Sequence, residues 1–186
     1  MKNSRGFSLI EVLVTILLTT IGILGMVALQ SKSIQYTQDA VNRNAAVTLS
    51  NDLIEIMRSY RDDLFNKTPP VNYSYTELKA SSVIYNDSGV LQLNAANCPA
   101  LANTLQQQGD CWLKQVQETL PDASTLVVGS FKVCPSFKLE DGVPACAGAN
   151  YKGSTMAIQL AWRSKEKICG VNSNSDICTF ITRVEL

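Results

Sequence analysis

Gly6-Phe7-Ser8-Leu9-Ile10-Glu11-Val12 opens the apolar run around which the rest of this 186-residue chain is organised. From Phe7 to Leu29 the run holds 23 residues and one charged side chain, Glu11. A helix needs about 20 apolar residues to cross the hydrocarbon core of a bilayer, so the run is long enough. A carboxylate inside it demands a partner, because an unpaired charge at that depth costs at least ~2.5 kcal/mol. Glu11 is the fifth residue counted from Phe7. An α-amine freed at Phe7 would supply the counter-charge.

The residues before the run are short and basic, with Lys2 and Arg5. A secretory signal would begin in the same way, but its apolar core usually spans only about 7–15 residues. The small-x-small site near the polar end of this run is Ser31-Lys32-Ser33, and no cysteine stands there for a lipoprotein signal. A plain single-span anchor would satisfy the hydropathy and leave Glu11 and the glycine before Phe7 without a reason. Lys2 and Arg5 place the leader in the cytoplasm by the positive-inside rule. The remainder then faces the periplasm or the cell exterior.

The run does not end in a turn. No proline occurs before Pro69, and Ile34, Val41, Ala45, Leu49, Leu53, Ile56 and Tyr60 follow at helical spacing. One helix is therefore expected from about Phe7 to about Tyr60, apolar all round in its first half and amphipathic in its second. At 1.5 Å per residue it would be roughly 80 Å long. Gly22 and Gly25 each weaken it by about 1 kcal/mol relative to alanine. They mark either a softened segment or close packing against a neighbour, or simply the tolerance of membrane helices for glycine. The expected division is a leader (1–6), a membrane helix (7–29), its amphipathic continuation (30–60) and a globular head (61–186).

In the head, Pro69-Pro70 closes the first block. Asn86-Asp87-Ser88-Gly89 reads as a turn between short strands at Val83–Tyr85 and Val90–Leu93. Cys98-Pro99 is expected to open a short helix that stops at Gly109, with Asp110 as N-cap of the next. That second helix carries Trp112, Leu113, Val116 and Leu120 on one face and ends before Pro121. Trp112 at this spacing reads as core rather than as a ligand platform. The period then changes to two in Leu126–Cys134, Met156–Arg163 and Phe180–Leu186. Three strands with one apolar face make an antiparallel sheet over the amphipathic half of the long helix. The fold class is α+β: a long N-terminal α-helix packed on an antiparallel β-sheet head, disulfide-stapled.

All six cysteines lie beyond Asn97, and there is no histidine. An even count on the far side of a membrane points to disulfides. Chain order suggests Cys98–Cys111, Cys134–Cys146 and Cys169–Cys178, although six cysteines permit 15 pairings. A zinc site is a poor fit, since no two cysteines stand two to four residues apart. Without histidine there is no Ser-His-Asp or Cys-His arrangement, and the glycines are too scattered for a phosphate loop. Asp62-Asp63 are neighbours on a helix and do not face each other. Asn172-Ser173-Asn174-Ser175-Asp176 lacks the alternating acidic pattern of a calcium loop and reads as a polar turn. No enzyme, cofactor or metal is expected. Formal net charge is zero, and loss of the leader leaves 14 basic against 16 acidic side chains. No basic surface for nucleic acid is implied.

Gly-Phe-Ser-Leu-Ile-Glu-Val after a short basic leader resembles the N-terminus of the type IV pilin and pseudopilin superfamily. The resemblance implies that a prepilin peptidase cuts between Gly6 and Phe7, that Phe7 becomes N-methylated, and that Glu11 guides assembly. Ile21-Gly22-Ile23-Leu24-Gly25-Met26-Val27-Ala28, Cys111-Trp112, Leu120-Pro121, Leu160-Ala161-Trp162-Arg163 and Thr182-Arg183-Val184-Glu185 resemble the minor pilins of that superfamily. Such a subunit is expected in the inner membrane as a single-pass protein with its head in the periplasm, and later in an extracellular pilus. Its implied partners are the prepilin peptidase, other minor pilins, the major pilin and a tip adhesin. A minor pseudopilin of a type II secretion system shares the same N-terminus. An adhesive or DNA-uptake binding module is the alternative of a different class; it would want an exposed basic or aromatic patch, which the even charge does not favour.

Overall fold

The computed structural model describes residues 8–148, 150–164 and 176–186. The chain divides into two units, Met1–Ala40 and Val41–Leu186. Helix α1 (Leu9–Ser59) contributes to both. In the first unit its residues from Leu9 to Ile34 are all exposed.

In the second unit α1 buries Asn42, Ala46, Leu49, Ser50, Leu53, Ile54 and Met57. This corrects the expected stripe. Ile34 and Val41 are exposed, and Ala45, Ile56 and Tyr60 are only partly buried. The buried face is turned so that it includes Asn42 and Ser50, which an apolar pattern skips. Ser50 is tolerated because its hydroxyl donates to the Ala46 carbonyl (2.8 Å) and so needs no other partner.

After α1 come the short α2 (Arg61–Leu64), then β1 (Phe65–Lys67) paired antiparallel with β2 (Thr76–Leu78). The turn at 86–89 is present. The Asn86 side-chain oxygen accepts from the N–H groups of Ser88 (3.0 Å) and Val90 (2.9 Å). The two strands expected around it are reduced to one bridge, Tyr85 to Leu91. Tyr85 is buried and donates its hydroxyl to the Lys79 carbonyl (2.9 Å).

The next stretch departs from expectation twice. A 3-10 turn (Ala95–Asn97) precedes Cys98, and one helix, α3 (Leu105–Thr119), replaces the two helices expected around Gly109. Thr104 is its N-cap, accepting from the Gln107 N–H (3.3 Å). Gly109 and Asp110 lie inside it. Gly109 makes room for Leu93, whose Cδ2 would stand 2.7 Å from an added Cβ. Asp110 is buried and accepts from the Asn94 N–H (2.7 Å) and the Gln106 amide (3.2 Å). Both residues serve packing and cross-linking, so neither ends a helix.

Leu126–Cys134 is not a strand throughout. Residues Ala123–Ser130 form α4, which buries Ala123, Leu126 and Val127, and only β3 (Lys132–Pro135) is extended. The β-branched Thr125, Val127 and Val128 favour a strand weakly, and packing overrides that preference.

β4 (Leu139–Glu140) and β5 (Val143–Pro144) form a small hairpin. The main sheet has the antiparallel order β3-β6-β7, with β6 (Thr155–Arg163) in the centre and β7 (Ile177–Glu185) at one edge. β6 is buried on both faces, not on one. Met156, Ile158, Leu160 and Trp162 are buried, and so are Ala157, Gln159 and Ala161. Two of the latter are alanines, and Gln159 donates to the Ser130 carbonyl at the end of α4 (2.8 Å). Leu49, Leu53 and Met57 of α1 share one core with Trp112, Leu113 and Val116 of α3 and with Ile158, Leu160 and Trp162 of β6.

Disulfides join Cys98 to Cys111 and Cys134 to Cys146. Cys178 is disulfide-bonded as well. Cys169, the partner expected for it, lies outside the described residues, as do Gly6, Phe7 and residues 172–175 of the polar turn.

Gly89 combines two constraints. Its φ of +79° is left-handed, and an added Cβ would lie 2.6 Å from Cys146 Sγ. The backbone alone costs a non-glycine residue about 1–2 kcal/mol there. Gly89→Ala is expected to lower the unfolding free energy of the full chain, measured by urea denaturation, by at least that much. Part of the loss should vanish in a Cys134→Ala/Cys146→Ala background, where the sulfurs are gone. An equal loss in both backgrounds would show that the disulfide contact adds nothing.

Candidate functional site

Ser8 supplies the carbonyl that starts α1, accepting from the N–H groups of Glu11 (3.0 Å) and Val12 (3.3 Å). Glu11 thus lies in the first turn, where the positive end of the helix dipole favours a carboxylate. The threonine side chains of the apolar run bond back to the helix itself. Thr15 donates to the Val12 carbonyl (2.9 Å), Thr19 to those of Thr15 and Ile16 (both 2.9 Å), and Thr20 to that of Leu17 (2.8 Å). These hydroxyls need neither water nor a neighbour. Glu11 is left as the one side chain of the run that must find a partner elsewhere: among the described residues none bonds to its carboxylate.

The helix is long and apolar enough to cross a membrane. A Cβ at Gly22 or Gly25 would meet nothing within 4 Å, so neither glycine serves the chain's own packing. Residues 9–29 are therefore an uncovered apolar stretch of helix with a single carboxylate, Glu11, in its first turn. It can be buried in lipid or among other helices, and it can pair with one cation. The threonine back-bonds were not anticipated from the sequence, although a hydroxyl three or four residues after a helical carbonyl is the available signal.

Among the described residues the head offers no comparable site. Trp112 is buried and its indole N–H donates to the Leu49 carbonyl (2.8 Å), which makes it a core residue that ties α3 to α1. Asp62 and Asp63 are exposed at a helix end. Asp176, at the end of the polar turn, pairs with Arg163, which also reaches Asp122 (3.4 Å).

Residues 1–27 match the family model of the prokaryotic N-terminal methylation motif, the type IV prepilin-like leader. No curated protein and no solved structure matches the chain.

Proposed function

We propose that this chain is a minor pilin that helps to initiate type IV pilus assembly, in the manner of PilV. The observation that carries this reading is a coincidence of position. The methylation motif of residues 1–27 leads into an exposed apolar helix whose one carboxylate, Glu11, lacks a partner within the described chain. In this reading the prepilin peptidase cuts between Gly6 and Phe7, and the new amine of Phe7 is methylated. The helix then holds the subunit in the inner membrane with the head in the periplasm. On assembly the apolar run moves from lipid into a filament core, and Glu11 pairs with the Phe7 amine of a neighbour. The role is structural, with no catalytic step. Sibling minor pilins, the major pilin and a tip adhesin are the partners, and the outcome is support of adhesion and twitching motility.

The test is the intact mass and N-terminal sequence of the protein from membranes, with and without the prepilin peptidase. Peptidase-dependent loss of Met1–Gly6 and one methyl group on Phe7 are expected. An uncut chain, or a cut near Ser33, would remove the assembly reading. Deletion of the gene should then reduce surface pili while leaving type II secretion intact; the reverse phenotype would assign the chain to a secretion pseudopilin.

A further inference from the structure

The two edges of the main sheet are treated differently. On the β3 side, Val133 donates its N–H to the Gly89 carbonyl (2.9 Å), and the Pro135 carbonyl accepts from Ala147 (2.7 Å). Pro135 has no N–H to offer. That edge is closed by the 86–89 turn and by the segment that Cys146 staples to Cys134.

β7 is open. Leu186 donates to the Ser154 carbonyl (3.1 Å) and Ser164 to the Asp176 carbonyl (2.7 Å), which fixes the phase of the ladder. Even-numbered residues of β7 exchange bonds with β6, so the N–H and C=O groups of Thr179, Ile181 and Arg183 point away from the sheet. Among the described residues these groups meet no backbone partner. Phe180 and Val184, on the core face, are only partly buried, so the apolar layer is unfinished along this edge. An open stretch from Thr179 to Arg183 within a nine-residue edge strand is a template for strand addition, and folds that do not use one usually block it.

We infer that β7 receives an extended segment of a different filament subunit as a fourth strand, an inference that rests on the assembly reading. The edge specifies the chemistry of that segment. It carries apolar side chains beside Phe180 and Val184, which complete the core face. It carries a carboxylate beside Arg183, the one charge on the open stretch from Thr179 to Arg183, whose guanidinium has, among the described residues, only the neutral Phe137 carbonyl as its partner (2.7 Å). A second copy of this chain fits poorly. Antiparallel pairing centred on Ile181 sets Arg183 against Thr179, and parallel in-register pairing sets Arg183 against Arg183. In antiparallel pairing, moving Glu185 beside Arg183 leaves Thr179 and Ile181 beyond the partner's β7, and in parallel pairing it sets the partner's Arg183 against the apolar Ile181. Backbone bonds supply affinity in this mode and alternate side chains supply specificity.

The experiment uses the full-length chain in piliated cells, with a photo-crosslinking benzoylphenylalanine at Thr179 and the linked peptide identified by mass spectrometry. The expected product joins Thr179 to an alternating apolar segment with an acidic residue in another protein bearing the same type of leader. Ile181→Pro removes an outward N–H without touching the bonds to β6, so it should abolish the product while the head stays protease-resistant. Should that variant fail to fold, Arg183→Glu keeps the backbone and should reduce the product at least tenfold. A product with a second copy only, no product, or one that survives both substitutions overturns the inference. If it fails while the leader is cut and the subunit enters pili, the edge assignment alone falls; an uncut leader removes the assembly reading itself.

Discussion

Glu11→Ala is expected to leave the chain cut, anchored and folded, yet to remove it from filaments. The head is the separate unit Val41–Leu186, so a change in the first turn of α1 does not reach its core. Loss of the helix-dipole interaction costs only about 0.3–1 kcal/mol. The large effect comes with assembly, when the carboxylate would answer an amine in a dry helix core. Removing one partner of a buried ion pair costs about 3–5 kcal/mol. Even 3 kcal/mol is roughly a hundredfold in an equilibrium. Sheared pili should therefore contain at least ~100-fold less of the variant than of the parent, at equal membrane levels of processed protein. Glu11→Gln should behave alike, since an amide cannot neutralise an amine. Undiminished incorporation of either variant would show that Glu11 has no such partner.

That prediction was open to a reader of the sequence, because one charge within 23 apolar residues is visible without coordinates. So was α1, whose expected end near Tyr60 lies one residue from Ser59. An antiparallel sheet of three strands and the first two disulfides were also legible from period and chain order, although the first strand is shorter than expected. What failed has two causes. The stripe on α1 was misplaced because Ser50 hides its own hydroxyl, and a polarity pattern counts it as outward. Gly109 and Asp110 imitate a helix end, but they answer Leu93 and Asn94, whose position only the fold supplies. The open edge of β7 is equally illegible, since which N–H groups face outward depends on the register with β6. Local signals were sound for the span of α1 and failed at Ser50, where a back-bond within the helix hides the hydroxyl. They misled where the partner is distant in sequence.

Trp112 is where a distant partner matters most for stability. Its ring is buried, and its N–H reaches across 63 residues to Leu49 of α1. Trp112→Ala removes that bond and leaves a ring-sized cavity, which costs about 3–5 kcal/mol. A domain of this kind has about 5–15 kcal/mol in total, so the urea midpoint should fall by roughly a fifth or more. Trp112→Phe keeps an aromatic ring and loses the N–H bond, at about 1 kcal/mol for the bond itself. The ratio of the two losses separates packing from hydrogen bonding. Cys111, the neighbouring residue, binds α3 covalently to Cys98, so reductant should deepen the loss in the alanine variant by freeing the helix from its second tie. Were Trp112 a ligand platform, alanine would change stability by less than about 0.5 kcal/mol, the usual scale for surface substitutions. Cleavage after Gly6 should continue in every Trp112 variant, because the leader and the head belong to different units. Processed but short-lived protein is thus the expected mark of a core tryptophan, whereas processed, stable and unassembled protein is the mark of Glu11.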